Sequence, residues 1–299
     1  MQWNAWNPPR RYTRSSMPSV SAPATATANP NLAASIARPR LRLPSRERRG
    51  MFKGKNVAVV IPAKDEELTI GSVVVSFAGE ECVDRVIVVD NNCVDGTAQR
   101  ARDATAEIVV ESRPGYGSAI TAGLNHAFAT GSEIAIVTEA DGSFAARDIW
   151  KLLHYVDDGQ LILGTRTTRQ MVEQAANMDL TMRLGNLAMA KLLEFMWWWP
   201  NEPRLTDVGC TYRALEAKTW GTLRDSLTET GPAFSPEMTA RACALGMRVV
   251  EIPVQYGARL GGVSKHSGNF RGAARTALSM LRTIFRVRWQ TLSRSPGER

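Results

Sequence analysis

Val57-Ala-Val-Val-Ile61-Pro62-Ala63-Lys64-Asp65-Glu66-Glu67 is the stretch on which the fold turns. Its first five residues are apolar without interruption and mostly β-branched, and Pro62 closes the run before a helix could form. Such a run reads as a strand buried on both faces, ending in an acidic loop. A helical stretch follows from about Leu68 to Phe77, and the unit then repeats. Arg85-Val-Ile-Val-Val-Asp90 is a second buried strand, with Asp95-Gly96-Thr97 and a short helix through Arg102 behind it. Glu107-Ile-Val-Val110 is a third, followed by a helix from Gly117 to Thr130, and Glu133-Ile-Ala-Ile-Val-Thr138 is a fourth. Helix 148–156 and strand Leu161-Ile-Leu163 add one more unit. Continuous apolar strands alternating with helices imply an open, mostly parallel α/β sheet with helices on both faces. The later half is less regular: helices over 180–199, 236–245 and 271–289, one strand over 247–252, and no internal repeat.

The formal net charge of +8 sits at the two ends of the 299-residue chain. Residues 1–50 carry nine Arg against Glu47 alone, together with seven of the 15 prolines. This composition cannot offset chain entropy by burial, so a disordered basic tail is expected. An Arg- and Ser-rich transit peptide, or a start at Met51, are the other readings of this segment. Residues 51–257 hold 19 basic and 27 acidic side chains, and 258–299 hold nine basic ones and Glu298. An acidic centre with basic ends suits a metal-using enzyme resting on an anionic surface, and no nucleic-acid partner is expected. The four cysteines, Cys82, Cys93, Cys210 and Cys243, form no C-x-x-C pair, which favours a reducing, cytoplasmic setting. No apolar run has the length of a membrane span, and the start lacks the apolar core of a secretory signal. The expected division is a tail over 1–50, a catalytic domain over 51–270, and a basic amphipathic helix and tail over 271–299.

Open parallel sheets bind ligands beyond the carboxyl ends of their strands. Three such ends are acidic here: Ile61 to Glu67, Val89-Asp90-Asn91-Asn92-Cys93-Val94-Asp95-Gly96-Thr97, and Thr138-Glu139-Ala140-Asp141-Gly142. Side by side they suit a nucleotide and a divalent cation. Singly, an acid after a strand is commonly a helix cap, the reading preferred for Asp95. Asp90 and Asp141, each ending a buried strand, are read as site residues.

In this order the segments resemble the inverting family-2 glycosyltransferases of GT-A fold, closest to the dolichyl- or polyprenyl-phosphate mannose and glucose synthases. The resemblance spans Val57 to Lys265. Ile61-Pro62-Ala63-Lys64-Asp65-Glu66 is similar to the family's first-strand loop, Asp90 to Thr97 to its base-reading loop, and Gly115-Tyr116-Gly117-Ser118-Ala119 to its Gly-rich turn. Glu139-Ala140-Asp141 is similar to its metal motif, and Thr206-Asp207-Val208-Gly209-Cys210-Thr211-Tyr212-Arg213 to a later one. Arg259-Leu-Gly-Gly262-Val-Ser264-Lys265 matches its phosphate-covering segment residue for residue. Three positions depart from the pattern: Asp65 stands for Asn, Asn91 for the second Asp of the base-reading loop, and Glu139 for the first Asp of the metal motif.

The resemblance implies a GT-A-type twisted sheet with a Rossmann-like nucleotide-binding half. It implies a GDP- or UDP-sugar donor, Mg²⁺ or Mn²⁺, a polyprenyl or dolichyl phosphate acceptor, and one inverting in-line displacement. Pro62, Ala63, Glu66, Asp90, Asn91, Ala140 and Asp141 would contact the nucleotide sugar. The leaving pyrophosphate needs its charge neutralised, for which a cation on Asp141 with Glu139 is suited. Magnesium wants a tight octahedron at about 2.0–2.1 Å, which favours the shorter Asp141 as ligand. Arg259 offers a fork and Lys265 a point charge to phosphate, where an ordinary solvated basic loop is the plainer reading. A hydroxyl acceptor would also need a base, for which Asp207 and Glu237 are the candidates. Glu237 opens a helix and equally suits the helix dipole.

Two helices favour a membrane-bound acceptor. Residues 187–199 are amphipathic and end in Trp197-Trp198-Trp199, a residue type enriched at headgroups. The last helix is expected to set Arg271, Arg275, Arg282 and Arg286 against Ala274, Ala277, Leu278, Leu281 and Ile284, as on a peripheral membrane helix. Simple packing on the sheet with a solvated basic edge is the alternative. His126, His154 and His266 show no metal-ligand spacing. Three rivals stay open beside the lipid-phosphate enzyme. One is a soluble family-2 enzyme acting on a small-molecule hydroxyl, and another an inactive membrane-surface scaffold of the same fold. The third, a nucleotidyltransferase, is disfavoured because Ile61–Thr69 lacks Gly. A homo-oligomer is compatible with all of them.

Overall fold

Strand β1 (Val57–Ala63) carries the apolar run quoted above and is covered on both sides. The computed structural model describes residues 52–173, 180–261 and 270–293, all within one compact unit, Pro44–Arg299. After β1 come α1 (Ile70–Ala78), β2 (Arg85–Asp90), α2 (Thr97–Asp103), β3 (Glu107–Val110), α3 (Tyr116–Ala129) and β4 (Ile134–Val137). Then follow α4 (Ile149–His154), β5 (Leu161–Thr165), α5 (Leu180–Met196), the single turn α6 (Trp198–Asn201), β6 (Arg213–Glu216) and α7 (Ala217–Leu223). The chain continues through α8 (Phe234–Ala244), β7 (Val249–Pro253) and α9 (Phe270–Leu292).

The seven strands lie in the order β3-β2-β1-β4-β6-β5-β7. β1 pairs in parallel with β2 and β4, β2 with β3, and β5 with β7. Only β6 among the described strands runs antiparallel, between β4 and β5. Strand order reverses beside β1, and this opens a crevice between the carboxyl ends of β1 and β4.

Side-chain alternation explains the continuous apolar runs. Val57, Val59 and Ile61 join Val73, Phe77 and Leu152 in one core layer, whereas Ala58 and Val60 join Leu124, Leu193 and Met238 in the other. Each such Val, Leu or Ile contributes roughly 1.5–3 kcal/mol on burial, so neither face tolerates a polar residue. Helix α3 sits so close to the sheet that a Cβ on Gly123 would lie 2.4 Å from Val60 Cγ1 and 2.8 Å from Val89 Cγ2.

The expected mostly parallel sheet with helices on both faces is the one found. Two elements escaped the sequence reading, β6 and α7. The four residues Arg213-Ala-Leu-Glu216 are charged at both ends and show no period, yet pairing with two neighbours makes them a strand. The expected boundary at residue 270 falls at the start of α9, whose Ile284 and Val287 are buried in the second layer. The expected faces of α9 need correction. Ala274, Ala277 and Leu278 are exposed, and the buried stripe is Thr283, Ile284 and Val287. Arg286 is anchored inward, 2.8 Å from Glu229 Oε1 and 3.0 Å from Glu237 Oε1. The reason is local demand: a buried carboxylate on α8 needs a cation, and the helix turns to supply one. Residues 1–50 and the side chain of Arg271 lie outside the described residues. No described helix is long and apolar enough to cross a membrane.

Gly123→Ala tests the close approach of α3. Overpacking against Val60 and Val89 is expected to cost about 1–3 kcal/mol, read as a lower urea midpoint with an unchanged m-value.

Candidate active site

The loop after β4 is built around Asp141, which is almost completely buried. Ser143 donates to Asp141 Oδ1 from its backbone N (2.9 Å) and its Oγ (2.6 Å). The chain turns at Gly142 with φ +76°, where a side chain would strike Leu260. Leu260 N donates to the Asp141 carbonyl (3.0 Å) and Gly257 N to the Ser143 carbonyl (2.8 Å), so segment 256–260 lies across the loop. Asp141 Oδ2 is buried without a hydrogen bond, and the cation facing it is Arg259, whose Nε is 3.0 Å away. Arg259 Nη1 is also 3.9 Å from Glu66 Oε1.

Glu139 completes this cluster. Its Oε1 accepts from Thr211 Oγ1 (2.7 Å), which in turn accepts from the Tyr116 hydroxyl (2.7 Å). Burial and the neighbouring Asp141 charge push the Glu139 carboxyl above its ordinary range, against the pull of Arg166 and Arg259. A buried and a partly buried carboxylate, the first with an oxygen that accepts no hydrogen bond and is answered among the described residues by Arg259 alone, make an oxygen donor set suited to a hard divalent cation. The residues present therefore fit Mg²⁺ or Mn²⁺.

The opposite lip comes from the loops after β1 and β2. Asp65 has φ +50°, a left-handed conformation that Asn and Asp tolerate, and its Oδ1 accepts from Val94 N (2.8 Å). The Asp-for-Asn departure thus keeps the loop geometry. Asp90 Oδ1 accepts from Cys93 N (2.8 Å), and Ala63 and Asp90 are direct parallel-strand partners. Pro62, Ala63, Glu66 and Asp90 come together at this lip. Ala140 is buried, its carbonyl accepting from Thr69 Oγ1 (2.8 Å). Asp95 does what a capping residue does, accepting from Thr97 N (3.0 Å) at the start of α2.

Asn91 faces inward rather than toward a ligand. Its Nδ2 donates to the carbonyls of Glu111 (2.9 Å) and Arg113 (2.7 Å), and its Oδ1 accepts from Gly115 N (2.9 Å). A carboxylate could not donate to those two carbonyls. The change at this position follows from loop architecture, and the side chain ties down the segment leading into α3.

Neither candidate base is placed as one. Asp207 is buried, accepting from Arg166 Nε (2.8 Å), Arg166 Nη2 (3.0 Å), Arg166 N (3.2 Å) and Gly209 N (3.1 Å). Burial by itself would raise its carboxyl, but the Arg166 guanidinium and these hydrogen bonds hold it below the ordinary range. Glu237 has no exposure and accepts from Thr228 N (2.9 Å), Thr228 Oγ1 (2.8 Å) and Glu229 N (2.7 Å). It fixes a loop whose Thr230 carbonyl caps Gly117 N at the start of α3 (2.7 Å). Lys265, with His266, falls in residues 262–269 and lies outside the described residues.

The sequence reading missed Arg166 and Glu251, and it gave Tyr116 and Thr211 no role of their own within the motifs that hold them. Arg166 follows the carboxyl end of β5, where ligand-facing groups are expected, and it packs over the Tyr256 ring at 5.3 Å. Thr211 reaches Glu139 because β6 runs antiparallel and enters the sheet from that edge, with Arg213 opposite Val137 and its guanidinium turned into the core. Glu251 accepts from Thr206 N (2.7 Å), Thr206 Oγ1 (2.8 Å) and Asp207 N (2.8 Å), and burial pushes its carboxyl up to about 7.

A sequence profile described as glycosyl transferase family 2 matches residues 58–215, and the chain belongs to that family. It is a glycosyltransferase of GT-A fold. An uncharacterized glycosyltransferase of Mycobacterium tuberculosis is 34% identical over 231 residues, 77% of this chain and 99% of that protein. The undecaprenyl-phosphate mannosyltransferase of Micrococcus luteus is 28% identical over 225 residues, 69% and 85% of the two chains. Among solved structures, glucosyl-3-phosphoglycerate synthase of M. tuberculosis with Mn²⁺, uridine diphosphate and glucosyl-3-phosphoglycerate matches with a TM-score of 0.58 at 20% identity. That match covers 84% of this chain and 85% of the other, and it establishes the shared fold.

Two predictions follow from these tethers. Asn91→Asp sets a carboxylate against two carbonyls and is expected to cost about 1–3 kcal/mol in denaturant unfolding. Glu251 binds its proton more tightly folded than unfolded, where its pKa is about 4.3. Its contribution to stability is therefore full at pH 4 and is lost as pH rises to about 7. Across this window the urea midpoint of the wild type should fall relative to that of Glu251→Gln, the carboxyls with lowered pKa being common to both.

Proposed function

We propose that this enzyme transfers a hexose, with inversion, from a GDP- or UDP-sugar to a polyprenyl or dolichyl phosphate, using Mg²⁺ or Mn²⁺. The observation that carries the acceptor class is the state of the two candidate bases. Asp207 is locked in a bidentate pair and Glu237 is sealed within the fold. A sugar hydroxyl must lose a proton as it attacks, whereas a phosphate monoester is already an anion and needs no base. The likeness to the undecaprenyl-phosphate mannosyltransferase of M. luteus supports the same class.

Asp141 and Glu139 would hold the cation, which when bound supplies Lewis-acid stabilisation to the departing pyrophosphate. Pro62, Ala63, Glu66 and Asp90 line the nucleotide side. Arg259 reaches from the overlying segment to the phosphate side, with Lys265 assigned to the same task by its motif. Asn91 acts through its side-chain amide, which holds the segment leading into α3, and Ala140 through its backbone carbonyl. The acceptor oxygen bonds to the anomeric carbon as the bond to the β-phosphate oxygen breaks, and a nucleoside diphosphate leaves. A lipid acceptor places the protein at the cytoplasmic face of a membrane as a peripheral enzyme.

The test is a product assay with Mg²⁺ or Mn²⁺, a panel of labelled UDP- and GDP-sugars and a short-chain polyprenyl phosphate. Label is expected in the organic extract, falling about 100-fold or more in Asp141→Asn. Label confined to a water-soluble acceptor would overturn the lipid-phosphate reading, and full turnover by Asp141→Asn would overturn the metal assignment.

A further inference from the structure

Helix α9 contains five Arg and no acidic residue over 23 positions, and its inner stripe is already used against the core. The opposite side exposes four large apolar side chains: Leu278 at 46%, Phe285 at 53%, Trp289 at 73% and Leu292 at 59%. Their separations of seven, four and three residues line them up along one face, over about 21 Å at 1.5 Å per residue. Arg275 and Arg282 flank this line, are exposed, and make no ion pair among the described residues. Arg286, on the inward side, is by contrast held by two carboxylates. Scattered apolar residues are ordinary on a protein surface, but an aligned aromatic row beside unanswered cations marks a contact surface.

We infer that this outer face of α9 is where the protein lies on an anionic lipid bilayer, with Phe285 and Trp289 entering the headgroup boundary and Arg275 and Arg282 meeting lipid phosphates. Charge complementarity selects this occupant over a second copy of the chain. Two such helices paired about a two-fold axis would bring arginines together with no acid on either to answer them. An anionic headgroup layer answers each Arg, and indole and phenyl rings are at home in the interfacial zone. The tryptophan segment adjoins the same helix: Arg288 lies over the Trp197 ring at 5.6 Å, and Trp199 stands 81% exposed beyond it. With no described helix able to cross the bilayer, docking is in the plane of the surface. The inference rests on the lipid-phosphate reading for its purpose, since an acceptor held in a membrane must be met there.

The experiment is flotation of the full-length protein with phosphatidylcholine vesicles, with and without phosphatidylglycerol. Binding is expected only with the anionic lipid, and rising salt should weaken it. Phe285→Ser/Trp289→Ser should lower the partition coefficient about tenfold or more, and Arg275→Glu/Arg282→Glu should reduce the preference for anionic lipid relative to the wild type. The basic segment 1–50 is common to all variants, so its own attraction does not enter the difference. These side chains are exposed, and far-UV circular dichroism and the urea midpoint should match the wild type. All variants should keep transfer to a detergent-dispersed short-chain acceptor and lose it to an acceptor embedded in vesicles. Unchanged vesicle binding in Phe285→Ser/Trp289→Ser would overturn the inference. So would sedimentation showing a wild-type dimer that this variant breaks. Vesicle binding is read without turnover, so failure of the proposed reaction leaves this test intact.

Discussion

Arg166 and Asp207 are both withdrawn from water, and each is tolerable there only because of the other. Removing either partner of such a pair leaves a buried, uncompensated charge, at about 3–5 kcal/mol. The pair spans the loop after β5 and the turn before β6, 41 residues apart in the chain. It fixes the approach of the antiparallel strand to the sheet, and so brings Thr211 to Glu139. Glu251 holds the same turn from β7 through three hydrogen bonds. The hydroxyl chain from Tyr116 to Thr211 to Glu139 exists because this corner is rigid.

The crevice itself follows from a different constraint. Four parallel strands end at one edge, and the reversal of order beside β1 leaves their last residues unobstructed. Buried Asp141 then lies beside the partly buried carboxyl of Glu139, an arrangement that calls for positive charge. Arg259 answers it from above, through a segment that stays close because the turn below has glycine at residue 142. A site that concentrates negative charge, with Arg259 on the segment above it, suits a substrate carrying several phosphates and its counter-ion.

Helix α9 joins the catalytic layer to the surface. Its buried stripe completes the core, its Arg286 satisfies Glu237, and its outer side is left apolar and basic. One helix thus serves packing and charge balance through two of its faces and leaves a third exposed.

Much of this was legible from the sequence. The run Val57 to Ile61 specified a strand buried on both faces, and repetition of that unit specified the sheet. Asp90 and Asp141 could be placed at one edge of the sheet because parallel strands end there together. These are local signals: apolar periodicity, a proline stop, an acid at a strand terminus. The partners of Asn91, Asp207 and Glu237 were not legible. Whether a carboxylate is a base or a strut depends on which donors chain closure brings to it, and those donors lie on other elements. Strand β6 was invisible because four residues with charged ends carry no period; its neighbours make it a strand. The outward face of α9 was misread for a related reason. Leu278 and Phe285 are as apolar as Ile284 and Val287, and only packing against α8 decides which side is core. The sequence by itself determined the layers and the edge where chemistry sits, because periodicity is a property of neighbours along the chain. Tertiary structure alone decided which charges are paired and which apolar face is left open, because those depend on distances between residues far apart in it.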